Sequence, residues 1–245
     1  MRLVELEAIS KSYAAPVLTD ISFNVGSGES VALVGANGAG KSTLVKILLG
    51  LVHANKGRGE LMGFPLGDPR GLARVGYLPE MPSFWQELSA EELLISLARM
   101  RGLHRDHSES RIKDLLSALG LSLRGGRAMG GYSKGMLQRC GIAAALLHEP
   151  DLIILDEPMS GLDPRAQEKL RMILTGLRDR GKTLIISSHA LEDIRLLCSR
   201  VIVLEKTQVV IDRPTDQALA ELLQKYRSSE PWDEDPMQEG SLERL

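Results

Sequence analysis

The run Gly35, Ala36, Asn37, Gly38, Ala39, Gly40, Lys41, Ser42, Thr43 fits a pattern of glycine, four residues and then Gly-Lys-Ser. In such a loop, consecutive backbone N–H groups turn toward one centre where a polyphosphate can sit. Gly38 and Gly40 permit the tight turn. Lys41 adds a mobile positive charge, and Ser42 offers a hydroxyl to magnesium. These residue types in this order point to a nucleoside triphosphate as ligand.

A second constellation lies more than a hundred residues downstream. Leu152, Ile153, Ile154, Leu155 and Asp156 read as a buried strand ending in a carboxylate that could hold the magnesium shell. Glu157 follows at once, and a carboxylate beside the metal ligand is placed to orient and polarise an attacking water. Farther on, the apolar run Thr183 to Ser187 leads into Ser188 and His189. A histidine at the carboxyl end of a parallel strand lies where open α/β sheets bind ligands.

These residues need elements to hold them. Ser30 to Val34 is a short apolar run entered from the turn signal Gly26-Ser27-Gly28, so a strand is expected before the glycine loop. Leu44, Ile47 and Leu48 recur at helical spacing until Gly50, so a helix is expected after it, its N-terminus adding to the anion site. Before that, Val4, Leu6 and Ala8 alternate, as do Ile21, Phe23 and Val25, which predicts two half-buried antiparallel strands.

After Pro79 the texture changes to helix. Ser89 and Glu92 form a capping box ahead of Leu93, Leu94 and Leu97; Ile112, Leu115, Leu116 and Leu119 form a second stripe; a third helix is expected from Ser133 toward Leu147. Strand and helix then alternate again, with a helix from Pro164 to about Arg180, another from about Ala190, and strands over Val201 to Leu204 and Val209 to Ile211. The expected organisation is one α/β unit over 1–226, with its core in 1–80 and 150–226 and a helical subdomain inserted at 81–149. Residues 227–245, rich in acidic residues, serine and proline, read as a disordered tail.

A length of 245 residues with 43% hydrophobic content allows a sizeable buried core. The formal net charge of −2 leaves no basic stripe for nucleic acid. Cys140 and Cys198 lie in helical patterns and are expected to be reduced packing residues. Charges at Arg2, Glu5 and Glu7 leave no apolar leader, and no apolar run approaches the ~20 residues of a membrane span. His104 and His107 lie in a charged linker and are expected to be solvated.

Taken together, the chain resembles the ATP-binding subunit of an ABC transporter over roughly residues 1–212. Tyr13 looks like the aromatic residue that stacks on adenine, and Val75, Gly76, Tyr77, Leu78, Pro79, Glu80 looks like the Q-loop. Tyr132, Ser133, Lys134, Gly135, Met136 stands at the signature position, Asp156 and Glu157 at the Walker B position, Ser160 to Asp163 at the D-loop, and His189 is the switch histidine. The resemblance implies a P-loop NTPase (RecA-like) α/β core with an antiparallel β subdomain and an inserted helical subdomain. It implies ATP and Mg²⁺ as ligands, with Ser42, Glu80 and Asp156 around the metal. Glu157, His189 and Lys41 would be catalytic, and Ser133, Gly135 and Asp163 would belong to the nucleotide site.

It also implies a head-to-tail dimer, with the same chain or a related subunit, at the cytoplasmic face of the membrane. A permease would dock near Glu80. Phe84 and Trp85 are either anchors for it or packing residues of the helical lobe. The chain departs from the family pattern at Glu80, where glutamine is usual, and in a signature that reads Tyr-Ser-Lys-Gly-Met. Both variants are similar to the branch that serves ABC-2 type exporter permeases. A soluble ATPase driving a non-transport machine is the alternative that the same motifs leave open.

Overall fold

The computed structural model describes residues 1–121 and 126–228. In chain order the elements are β1 (Arg2–Ser12), β2 (Pro16–Gly26), β3 (Ser30–Val34), α1 (Lys41–Leu48), β4 (Lys56–Leu61), β5 (Phe64–Pro65), α2 (Pro69–Leu72) and β6 (Val75–Leu78). There follow α3 (Ala90–Met100), α4 (Arg105–Ala118), α5 (Lys134–Leu146), β7 (Leu152–Asp156), α6 (Pro164–Asp179), β8 (Thr183–Ser187), α7 (Leu191–Leu197), β9 (Arg200–Glu205), β10 (Gln208–Pro214) and α8 (Thr215–Ser228).

The centre is a 6-stranded sheet in the order β10-β9-β3-β8-β7-β6. From β9 to β6 the pairings are parallel, and β10 closes the edge antiparallel to β9. Its inner strands are apolar on both faces, as a parallel sheet covered on both sides requires. Because side chains alternate across a strand, the sheet divides two cores. Val31, Leu33, Leu152, Ile154, Ile185 and Ile202 pack with α1 and with the second sheet, which is 4-stranded in the order β2-β1-β4-β5. Ala32, Ile153, Leu155, Leu184, Ile186 and Val201 pack with α3 to α8 on the other side.

The helices follow their sequence signals. Ser89 and Glu92 close a full capping box on α3, and Ser133 and Asp163 accept from the backbone N–H groups of Met136 and Ala166 at the starts of α5 and α6. Gly50, Gly102 and Gly120 follow α1, α3 and α4 with positive φ, the usual backbone of a helix stop. Cys140 and Cys198 are buried free thiols pushed up to about 12 by burial.

Several expectations need correction. Ala8 does not continue the buried face of Val4 and Leu6: it is exposed with a φ of +53°, the β1–β2 register shifts between Leu6 and Ile9, and Ile9 takes the buried place. This is the geometry of a β-bulge. Strands β4 and β5 complete the antiparallel sheet, and Val75–Leu78 of the expected Q-loop is strand β6, paired with β7. Helix α8 extends over a stretch that carried no helical expectation. The expected tail from 229 onward lies outside the described residues.

Candidate functional site

The glycine loop joins β3 to α1; β8 runs parallel beside β3 and β7 beside β8, so that the three carboxyl ends lie at the same edge. That shared edge brings distant residues together. An open cleft of about 840 Å³ is lined by the loop from Gly35 to Gly38, by Gly40 to Thr43, and by Glu80, Asp156, Glu157, Ser160 and His189. Gly38 and Gly40 have φ of +81° and +100°. A Cβ on Gly40 would meet Leu18 Cδ2 at 2.7 Å and the Val17 carbonyl oxygen at 2.8 Å, so space as well as conformation demands glycine there. Gly40 is the N-cap of α1 and offers no side-chain cap, which leaves the first N–H groups of the helix directed at the cleft.

Lys41 Nζ donates to the carbonyl oxygens of Gly35 at 2.6 Å and Ala36 at 3.2 Å, so the ammonium lies over the loop. Ser42 Oγ donates to Asp156 Oδ2 at 3.1 Å. The other carboxylate oxygen of the buried Asp156 accepts from the Ser187 hydroxyl. Glu157 Oε2 lies 3.0 Å from His189 Nδ1. The imidazole is largely exposed while the Glu157 side chain is mostly enclosed. Tyr77 is pushed up to about 12, first by burial and then by the negative charge of Asp156, and so stays a neutral phenol at neutral pH.

A hydroxyl and a carboxylate oxygen converging at the phosphate loop, with the Glu80 carboxylate on the same cleft, form a hard-oxygen donor set. This fits magnesium, which takes one or two protein oxygens and completes its shell with phosphate and water. Among the described residues no group of three or more histidine, cysteine or acidic side chains forms a closed metal cage.

Other expected site residues lie elsewhere. Tyr13 does not line the cleft: its ring is exposed, with Lys11 Nζ 5.1 Å from the ring centroid. Ala39 packs against the core behind the loop. Ser133 borders a separate hollow with Gly131, Met136 and Arg139. Gly135 packs close to the D-loop, where a Cβ would meet the Gly161 carbonyl oxygen at 3.0 Å. Asp163 caps α6. Lys134 Nζ lies 3.4 Å from Ser160 Oγ and so links the signature segment to the rim of the phosphate-loop cleft. Phe84 packs against the helical lobe's core, whereas Trp85 and Met81 are exposed. His104 and His107 are exposed on and before α4.

The sequence reading missed Val17, which lines the cleft, and Ser187 and Gln138, which hold Glu157 from behind. The one usable signal for Ser187 was its place at the end of a strand beside another ending in Asp156.

The loop, the strand-end carboxylates and the parallel sheet define a P-loop nucleoside triphosphatase. The pattern of the ABC transporter family matches residues 18–160. The chain is 41% identical over 79% of its length to an uncharacterised ABC transporter ATP-binding protein of Synechocystis, and 35% identical over 87% of its length to the bacitracin transport ATP-binding protein of Bacillus licheniformis. It spans 55% of the first relative's length and 70% of the second's. A solved structure of an ATP-binding subunit of an ABC transporter superposes with a TM-score of 0.83 at 34% identity, covering 90% of this chain and 93% of that one. The chain belongs to the ABC transporter family, in the class of its ATP-binding subunits. No helix among the described residues is long and apolar enough to cross a membrane.

Proposed function

We propose that this ATPase subunit is the motor of an exporter, closing head to tail on Mg-ATP and reopening after hydrolysis to drive a membrane permease of the ABC-2 type. The observation that supports this reading best is the separation of the phosphate-loop cleft from the start of α5. Lys41, Ser42, Asp156, Glu157 and His189 surround one cleft, while Ser133 and Gly135 lie outside it. A second copy or a related subunit would bring its own Ser133 and Gly135 over the phosphates, so each ATP would bridge two protomers. ATP then shifts the population toward the closed dimer, and loss of the γ-phosphate removes that preference.

Within the cleft, Lys41 and the N–H groups of the loop from Gly35 to Thr43, including Asn37 and Ala39, neutralise and orient the phosphates. Ser42, Asp156 and Glu80 would hold magnesium, which supplies further positive charge to the phosphate oxygens. Glu157 orients the attacking water and accepts its proton, and His189 turns from Glu157 to steady the γ-phosphate. Tyr13 stacks on adenine. Asp163 holds the D-loop against the facing subunit.

The exposed side chains of Met81 and Trp85, next to Glu80, form the surface that a permease helix would cover at the cytoplasmic face. The relative named for bacitracin transport supports a transport role for this chain. Phosphate release by the purified chain tests the reading. The rate per protomer should rise with protein concentration, because two copies complete each site; no release at any concentration would overturn the proposal.

A further inference from the structure

Two buried side chains outside the constellation above converge on a single peptide. Glu157 has a φ of +47°, a left-handed backbone that a long side chain seldom adopts. Such a conformation persists where surrounding contacts hold it. On its amino side the Glu157 N–H donates to Ser187 Oγ at 2.9 Å and to the Ser187 carbonyl oxygen at 3.2 Å. The same hydroxyl sends its own proton to Asp156 Oδ1. One buried oxygen thus fixes both the rotation of the Asp156 carboxylate and the backbone of the next residue. The β7–β8 register, which pairs Asp156 with Ser187, makes this possible.

On the carboxyl side the partner is Gln138, from the middle of α5. Its Nε2 donates to the carbonyl oxygens of Glu157 and Pro158, each at 3.4 Å, and the Glu157 oxygen also accepts from Ser160 N–H at 3.0 Å. Gln138 is fully buried, and its Oε1 has no hydrogen-bond partner. Turning the amide over would set that oxygen against two carbonyl oxygens, so the acceptors fix which end donates. An amide with an unmet buried acceptor is costly in an otherwise apolar core, and its two donated bonds are what it contributes there. Neither Ser187 nor Gln138 lines the cleft.

We propose that Ser187 and Gln138 are positioning residues that clamp the Glu157 peptide from opposite sides and so aim its carboxylate at the attacking water. The inference rests on the assignment of Glu157 as the base made above. Gln138 belongs to the helix whose N-cap is Ser133, so the clamp also ties the backbone of Glu157 to the signature end. A movement of α5 when the signature meets a partner's phosphates would be felt at Glu157 directly.

The test uses the full chain as wild type, Ser187→Ala, Ser187→Thr, Gln138→Met and the Ser187→Ala/Gln138→Met double variant. Turnover, KM for ATP and the affinity for a fluorescent ATP analogue are measured for each. Ser187→Ala and Gln138→Met should each lower kcat by about 10- to 100-fold, the range that a misplacement near 1 Å produces. Analogue affinity should stay within about twofold, because the phosphate loop is untouched. The double variant should lose less than the product of the single losses, since both release the same peptide. Ser187→Thr, which keeps the hydroxyl, should recover turnover above that of Ser187→Ala. Unchanged kcat in both single variants, with wild-type phosphate release intact, would overturn the clamp alone. So would a parallel fall of kcat and analogue affinity, which marks a general disruption of the cleft. A wild-type chain that releases no phosphate would overturn the assignment of Glu157 instead. If Gln138→Met does not fold, the Ser187 pair decides the question by itself.

Discussion

Around the phosphate loop, three adjacent parallel strands deliver Ser42, Asp156, Glu157 and His189 to one edge, where each already has a hydrogen-bonding partner or a charged neighbour. At the start of α5, Ser133 caps its own helix and Gly135 lies against Gly161, and among the described residues no carboxylate lines the hollow that Ser133 borders. In the function proposed above, the first end is the reaction centre and the second serves to close over a partner's phosphates. On that proposal the chemistry resides at the phosphate loop, and the start of α5 completes a site that it could not constitute.

Breaking the reaction centre should produce the largest effect. Glu157→Gln keeps the shape of the side chain and loses its basicity, so turnover should fall by about 10²- to 10⁴-fold while ATP still binds. Steady-state phosphate release alongside an ATP titration checks both halves. Next comes Lys41→Ala, which removes the one lysine or arginine that lines the cleft among the described residues. A charged hydrogen bond contributes about 1.5–3 kcal/mol, so direct titration should show affinity weakened by about 10- to 100-fold or more.

Ser133→Ala sharpens the comparison because it touches only the second end. Binding of ATP to an isolated protomer should be unchanged, while turnover at high protein concentration should drop about tenfold. Loss of the helix cap alone would cost about 1 kcal/mol of stability, which a melting curve separates from the catalytic effect. An equal loss of protomer affinity would mean that Ser133 serves the cleft of its own chain.

The smallest effect is expected at Glu80. Its carboxylate is exposed on the rim of the cleft, so Glu80→Gln should raise the magnesium concentration for half-maximal phosphate release by less than about fivefold, in keeping with the modest worth of an exposed charge. Identical metal dependence would remove Glu80 from the metal's surroundings.

The residues that line the phosphate-loop cleft were largely legible in the sequence because they sit in local signals: a glycine loop, an apolar strand ending in two acids, a strand ending in histidine. The helical lobe was legible through caps, with Ser89 and Ser133 each starting a helix, and Asp163 does the same for α6 of the α/β core. What escaped depended on register and on distant partners. The segment Lys56–Leu61 carries two glycines and mostly exposed side chains, so nothing local marked it as a strand; its partner β1 does. The bulge at Ala8 reversed an alternation that had looked regular. Helix α8 did carry a signal, in the spacing of Ala218, Leu219 and Leu222, all buried against the core. Ser187 and Gln138 were invisible as functional residues, because only the pairing of β7 with β8 and the packing of α5 bring them to Glu157.

If ATP joins the two ends across protomers as proposed, Glu157→Gln should reveal it, because the variant should bind ATP without consuming it. Light scattering on this variant after size exclusion, with Mg-ATP, with Mg-ADP and without nucleotide, reads the outcome. A dimer present with Mg-ATP and absent in the other two conditions is the predicted result. A monomer in all three, or a dimer indifferent to nucleotide, would contradict it.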